Sequence, residues 1–301
     1  MEFVTIVKII FPCLIGIIML GIGMTLTIKD FRQILVYPKA VAIGFLTQII
    51  LLPMVAFFLA TLMNVAPETA VGIVLVASCP GGPTAGLFVY LARGVPALSI
   101  TLTTINTLAT IITIPLITEF SIRHFMGYNT NIILSFGIIF KQLLIMALIP
   151  IILGMLIRTR WPDFAIRNQR KFNFFFIIAL IFIGAVVILS GDIQVVSNIG
   201  KSGKIVIALY LCTTGLGFFI AKLFRLSIAK AKTIAIEVGL QNGVLAMVIA
   251  MSIIKSAAIS IPAIVYTVLG TSFTVLLTFY FRLMLSSDDD ETCDEIIEDA
   301  I

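Results

Sequence analysis

One feature constrains this chain before any other: apolar runs of about 20 residues follow one another almost without pause. They lie near residues 4–27, 39–63, 68–92, 96–121, 132–157, 172–190, 203–222, 229–252 and 261–284. Each is long enough, as a helix, to cross a hydrocarbon core of about 30 Å. Lipid offers no partner for bare peptide groups, so such spans must satisfy their own backbone, which a helix does. The expected fold class is therefore all-α, a polytopic membrane protein with nine transmembrane helices. The 60% of hydrophobic and 12% of charged residues exclude an ordinary soluble domain, which carries roughly 25% charged residues. The first run is too long for the apolar core of a signal peptide, lacks a small-x-small cleavage site and precedes a basic loop. It reads as a span. Because the loops are short, residues 1–285 read as one transmembrane domain. Residues 286–301, which hold eight of the fifteen acids, read as a solvated, disordered tail with a docking role as the alternative.

An odd number of spans puts the termini on opposite sides, and the basic residues choose between them. The alternate loops near 28–39, 93–95, 158–171 and 222–232, with Arg282, carry 14 of the 20 lysines and arginines. The positive-inside rule then places the N-terminus outside and the C-terminus in the cytoplasm of a cell inner or plasma membrane. The net charge of +5 reports this loop bias; no basic patch interleaved with aromatics suggests nucleic acid. Cys13, Cys79 and Cys212 sit in apolar runs and Cys293 in the tail, with neither disulfide nor zinc-ligand spacing. His124 is the single histidine. No nucleophile-base pair, metal cluster or phosphate loop is visible, so an enzyme is not expected and no cofactor is implied.

The polar residues left inside the spans carry the functional signal. Outside the tail, Glu237 alone among the acids falls well inside a span. A charge there costs about 2.5–3.5 kcal/mol on insertion scales and marks a functional site by default. Its partner must be a cation, a proton or a basic residue of another helix; satisfaction by neighbouring helices is the plain alternative. Gln241 lies four residues on and shares the helical face of Glu237. Gly239 and Gly243 weaken the helix around Gln241 and Asn242. If it opens there, carboxylate, amide and carbonyl oxygens converge on a site suited to a hard cation.

A second break is written into Cys79–Pro80–Gly81–Gly82–Pro83. Neither proline can donate to the carbonyl four residues back, so the third span should split, with its second half beginning at Thr84. A half-helix N-terminus there would turn free N–H groups and the positive dipole end toward the gap. A proline kink used for packing is the simpler alternative. One interrupted helix in each half is the pointer to a secondary transporter built from inverted repeats. In the fourth span Ser99, Thr103, Asn106 and Thr110 fall on one helical face, and Gln48 is another mid-membrane amide in the second.

Taken together, "CPGG" at 79–82, "YLARG" at 90–94, Ser99 with Thr103 four residues on, and "IEVGLQN" at 236–242 resemble the bile acid:sodium symporter family. The resemblance runs from about Leu20 to Leu285. It implies nine or ten helices divided into a panel (about 4–27, 132–157, 172–190) and a core (about 39–63, 68–92, 96–121, 203–222, 229–252, 261–284). It also implies two sodium ions behind two crossing broken helices. By position, the second sodium site would take Gln48, Glu237 and Gln241 with the carbonyls of Val238 and Leu240. The first would take Ser99, Thr103 and Glu237, but the family's Ser-Asn pair is replaced by Ala85 and Gly86. Asn106 is our candidate for the missing amide oxygen.

The expected function is sodium-coupled symport of a small organic anion (bile acid-like, keto acid or pantoate-like) by alternating access. Gly82, Pro83, Thr84 and Asn242, at the half-helix N-termini, would meet the anion. Proton-coupled or uncoupled transport, and a non-transporting receptor with the same fold, are the alternatives.

Overall fold

The computed structural model describes residues 16–17, 19–27, 34–82, 84–127, 136–168, 171 and 193–284. Proline opens three of the helices: α1 (Pro38–Leu62), α2 (Pro67–Ser78) and α4 (Pro96–Met126). At the first helical position its missing N–H is one that has no intrahelical partner anyway. The short α3 (Ala85–Leu91) stands between α2 and α4. Then come α5 (Phe136–Leu143, Leu144–Leu148 and Ile149–Arg160 in succession), α6 (Ile193–Leu223), α7 (Ile228–Gly239), α8 (Gly243–Ile254) and α9 (Ala257–Leu283).

The turns close in a repeated way. Asn64, Arg93 and Arg225 take left-handed conformations (φ 47°, 56° and 58°) just past the ends of α1, α3 and α6. In each case the next N–H bonds back into the last helical turn, Val65 to Ala60, Gly94 to Val89 and Leu226 to Ala221. Carbonyls that the helix ends would leave bare are thereby satisfied.

Two helices widen in mid-course to a π-turn, α1 at Thr47–Leu51 and α5 at Leu144–Leu148. A proline follows each at the second residue of the resumed helix, Pro53 and Pro150. Pro53 has no N–H for the carbonyl four residues back, and the wider turn absorbs the misfit as the Leu52 N–H bonds to Thr47 O.

No strand occurs among the described residues; one isolated antiparallel bridge joins Gly81 and Gln241. Among the described residues, five helices are long and apolar enough to span a membrane: α1, α4, Ile139–Arg160 of α5, Ser202–Leu223 of α6, and α9. The two spans expected to break are each in two pieces, α2 with α3 and α7 with α8. This is an all-helical, polytopic membrane protein. The expected first span is described from residue 16 on, while the sixth run (172–190), Pro83 and the tail lie outside the described residues. The seventh begins earlier than its apolar run, at Ile193.

At the centre lies α7, buried at Ala229 and without interruption from Ala231 to Gly239. It packs on α6, α3 and α4, and α2 packs on α4, α9 and α1. Lipid tails are as apolar as leucine, so closeness between helices rests on shape and small residues. Gly154 of α5 fits this: a Cβ there would collide with the Leu20 carbonyl and with Gly23 of the first span.

Candidate functional site

The two helix breaks meet and hydrogen-bond to each other. After Ser78 the chain turns extended at Cys79 (φ −76°, ψ 157°), and after Gly239 it does so at Leu240 (φ −101°, ψ 90°). Peptide groups freed by the breaks then pair antiparallel, Gly82 N–H donating to Leu240 O at 2.7 Å and Asn242 N–H to Pro80 O at 2.9 Å. A pair of groups that neither helix could satisfy is thus satisfied across the crossing.

Gln48 binds this crossing from the side. Its place in the π-turn of α1 aims the amide at the breaks, where Nε2 donates to Cys79 O (2.7 Å) and to Gln241 Oε1 (2.8 Å). Gln241 Nε2 donates to Val238 O at 2.6 Å. Sequence periodicity put Gln241 on the face of Glu237, but α7 ends at Gly239. Its side chain instead turns back onto the end of α7 and meets Gln48.

Glu237 is fully buried two residues before that end. Ser99 Oγ donates to its Oε2 at 2.6 Å, and Thr103 Oγ1 donates to its Oε1. Both hydroxyls come from successive turns of α4, and neither brings a charge to set against the carboxylate. Gly81 lies against the same carboxylate so closely that a Cβ would collide with Oε1. The glycine is required there by space.

Asn106, one turn beyond Thr103, is fully buried, and neither amide atom has a hydrogen-bond partner. The structure does not join it to Ser99, Thr103 or Glu237. Ala85 is buried and Gly86 borders a cavity, so neither brings a side-chain oxygen where the resemblance implied one.

That cavity, about 360 Å³, lies between the first span and the crossing. Met19, Ile22 and Leu26 form one wall; Thr84, Ser99, Thr103 and Asn242 face it from the other. Thr84 precedes α3 and Asn242 caps α8, its Oδ1 accepting from Leu245 N–H at 3.0 Å. The free N–H groups expected at the half-helix starts are largely spent inside the protein: Gly82, Ala85, Asn242 and Gly243 all donate to backbone carbonyls. Gly82 does not line the cavity, and Thr84 and Asn242 contribute to its polar surface through their side chains, together with Thr25, Ser99, Thr103 and Thr107.

The "YLARG" stretch also acquires a reason. Its Gly94 lies against Thr233 of α7, whose hydroxyl accepts from Val95 N–H at 2.7 Å, so the turn into α4 is tied to the helix carrying Glu237. Cys79 contributes through its carbonyl, a backbone group that residue identity does not reveal.

Residues 11–199 match the profile of the Sodium Bile acid symporter family. The chain belongs to that family. It is 31% identical over 273 residues to a sodium-dependent transporter of Bacillus subtilis, YocS, covering 89% of this chain and 82% of that one. It is 33% identical over 262 residues to a probable chloroplastic sodium/metabolite cotransporter, BASS1, of Arabidopsis thaliana, covering 84% of this chain and 61% of the plant protein. With the human ileal sodium/bile acid cotransporter it shares 27% identity over 238 residues, 76% of this chain and 65% of the human one. Membership in the symporter family makes this a membrane protein of a sodium-dependent transporter class, and its relatives are named as transporters rather than enzymes.

Proposed function

We propose that the protein couples inward movement of sodium to uptake of a small organic anion, a bile acid-like, keto acid or pantoate-like carboxylate or sulfonate, by alternating access. The observation that carries this reading is the buried Glu237 carboxylate at the helix crossing, surrounded by neutral oxygen-bearing groups. Sodium is a hard ion that takes carboxylate, amide and carbonyl oxygens. One ion would sit among Gln48, Glu237, Gln241 and the carbonyls of Val238 and Leu240. A half-turn of the Gln48 or Gln241 amide exchanges its NH2 for its oxygen, so the mutual pairing described above is convertible into ion ligation.

A second ion would use Ser99, Thr103 and Glu237. Asn106 is proposed as its additional ligand, because a buried amide without a partner costs about 1–3 kcal/mol per group until something fills it. Thr84 and Asn242 would meet the anion with hydroxyl and amide groups, and the apolar wall of Met19, Ile22 and Leu26 would take its body. The expected nine spans, the panel and core, and an outside N-terminus complete the proposal.

A thermal-shift panel of taurocholate, pyruvate and pantoate, each in sodium chloride and in choline chloride, identifies the anion class. Uptake of the responding acid into proteoliposomes is then expected to need an inward sodium gradient. Full uptake without that gradient, or in Glu237→Ala, ends the reading. One observation favours a second reading: Glu237 is fully buried and its two hydroxyl partners are neutral, so the site also suits a proton in place of a metal ion. Uptake driven by a pH gradient alone would decide for it.

A further inference from the structure

Three consecutive carbonyls become free where α7 ends, and each takes a different donor. Val238 O accepts from Gln241 Nε2 at 2.6 Å, Leu240 O from Gly82 N–H at 2.7 Å, and Gly239 O from the Tyr266 hydroxyl at 2.7 Å. The first two donors belong to the crossing itself. The third reaches in from α9, where Tyr266 is 1% exposed. At Leu240 (φ −101°, ψ 90°) the chain leaves the helix, and the donors show which way its carbonyls turn. Gly239 O therefore faces α9 while Leu240 O faces the break between α2 and α3.

We propose that Tyr266 is a positioning residue for the ion site. By holding the Gly239 carbonyl it fixes the rotation of the peptide between Gly239 and Leu240. That rotation in turn sets the directions of the Val238 and Leu240 carbonyls and of Gln241. The inference rests on the reading of Glu237 and Gln241 as sodium ligands. The N–H edge of this peptide, at Leu240, makes the last bond of α7 to Ile236 O at 2.9 Å, and the Tyr266 hydroxyl holds its carbonyl edge, so the two together fix its plane where a glycine brings little preference of its own. Without the hydroxyl, the Gly239 carbonyl would be a buried acceptor lacking a partner. Either donor of the crossing, Gln241 Nε2 or Gly82 N–H, can serve Gly239 only by deserting Val238 or Leu240, and the unpartnered Thr214 hydroxyl of α6 could serve it only by drawing the carbonyl away from α9. Thr214 Oγ1 crowds Gly239 from α6, which leaves the peptide no room for a side chain and keeps it against α9.

The test uses the full chain in detergent micelles, unfolded thermally while sodium chloride replaces choline chloride at constant ionic strength. Wild-type protein is expected to be stabilised saturably by sodium. In Tyr266→Phe the sodium midpoint is expected to rise about tenfold, with unfolding in choline chloride lowered by only a few degrees. Thr274→Val, on the same helix as Tyr266, removes the hydroxyl partner of Tyr210 of α6 and is expected to leave the midpoint unchanged. A wild-type midpoint in Tyr266→Phe, even with lowered stability in both salts, would make Tyr266 a scaffold residue and overturn the proposal. A wild-type chain with no sodium response overturns the sodium-site reading, and this inference with it.

Discussion

At the scale of single residues, the site is a problem of burying one carboxylate. Removing an ionised group from water is tolerated only with compensation, and two hydroxyls compensate Glu237 in part. Glu237→Gln should therefore abolish the sodium response while leaving thermal stability in choline chloride equal to wild type or higher, as the same thermal assay reads directly. Gly81→Ala should act through space alone. The added methyl meets Glu237 Oε1, and an overpacked core loses about 1–3 kcal/mol. A sodium midpoint raised at least tenfold, about 1.4 kcal/mol or more, is expected in titration. At this scale the sequence was informative about Glu237, Gln48, Ser99 and Thr103, because a polar group in an apolar span needs a reason. It was silent about Tyr266 and the Cys79 carbonyl. A tyrosine in an apolar helix reads as packing, and a backbone oxygen leaves no mark on composition.

At the scale of elements, the breaks were legible and their consequences were not. Prolines and paired glycines act locally, so the ends at Ser78 and Gly239 and the restarts at Ala85 and Gly243 follow from the chain itself. Which groups then satisfy the exposed peptides is decided by partners far away in the chain. Hence the expected free N–H groups turned out to be largely occupied. The π-turn of α1 is similarly invisible until Pro53 is seen to demand it. Pro53→Ala supplies the missing N–H and lets the turn relax toward an ordinary helix, rotating Gln48 away from Cys79 O and Gln241. The expected result is a sodium midpoint raised about tenfold with a thermal midpoint at or above wild type. An unchanged sodium midpoint would show that the wide turn does not aim Gln48.

For the whole molecule, succession of apolar runs was enough to give an all-helical membrane protein, since lipid permits little else. Sidedness rests on the 14 of 20 basic residues in alternate loops. A green fluorescent protein fused after residue 301 is expected to fluoresce and an alkaline phosphatase at the same place to be inactive; the reverse would place the C-terminus outside. Truncation after Leu285 is expected to leave sodium-driven uptake within about twofold of the full chain, because a run of like charges ordinarily stays in solvent. The pairing of the two breaks has a mechanical consequence. Pulling them apart would strip Gly82, Leu240, Asn242 and Pro80 of their partners, at several kcal/mol for each bare group in a dry interior. The crossing is thus a rivet rather than a hinge. Whatever travels during a transport cycle must carry α2, α3, α7 and α8 as one piece, and bending has to be sought at the turns around Asn64 and Arg225, since the turn at Arg93 is itself tied to α7 through Thr233.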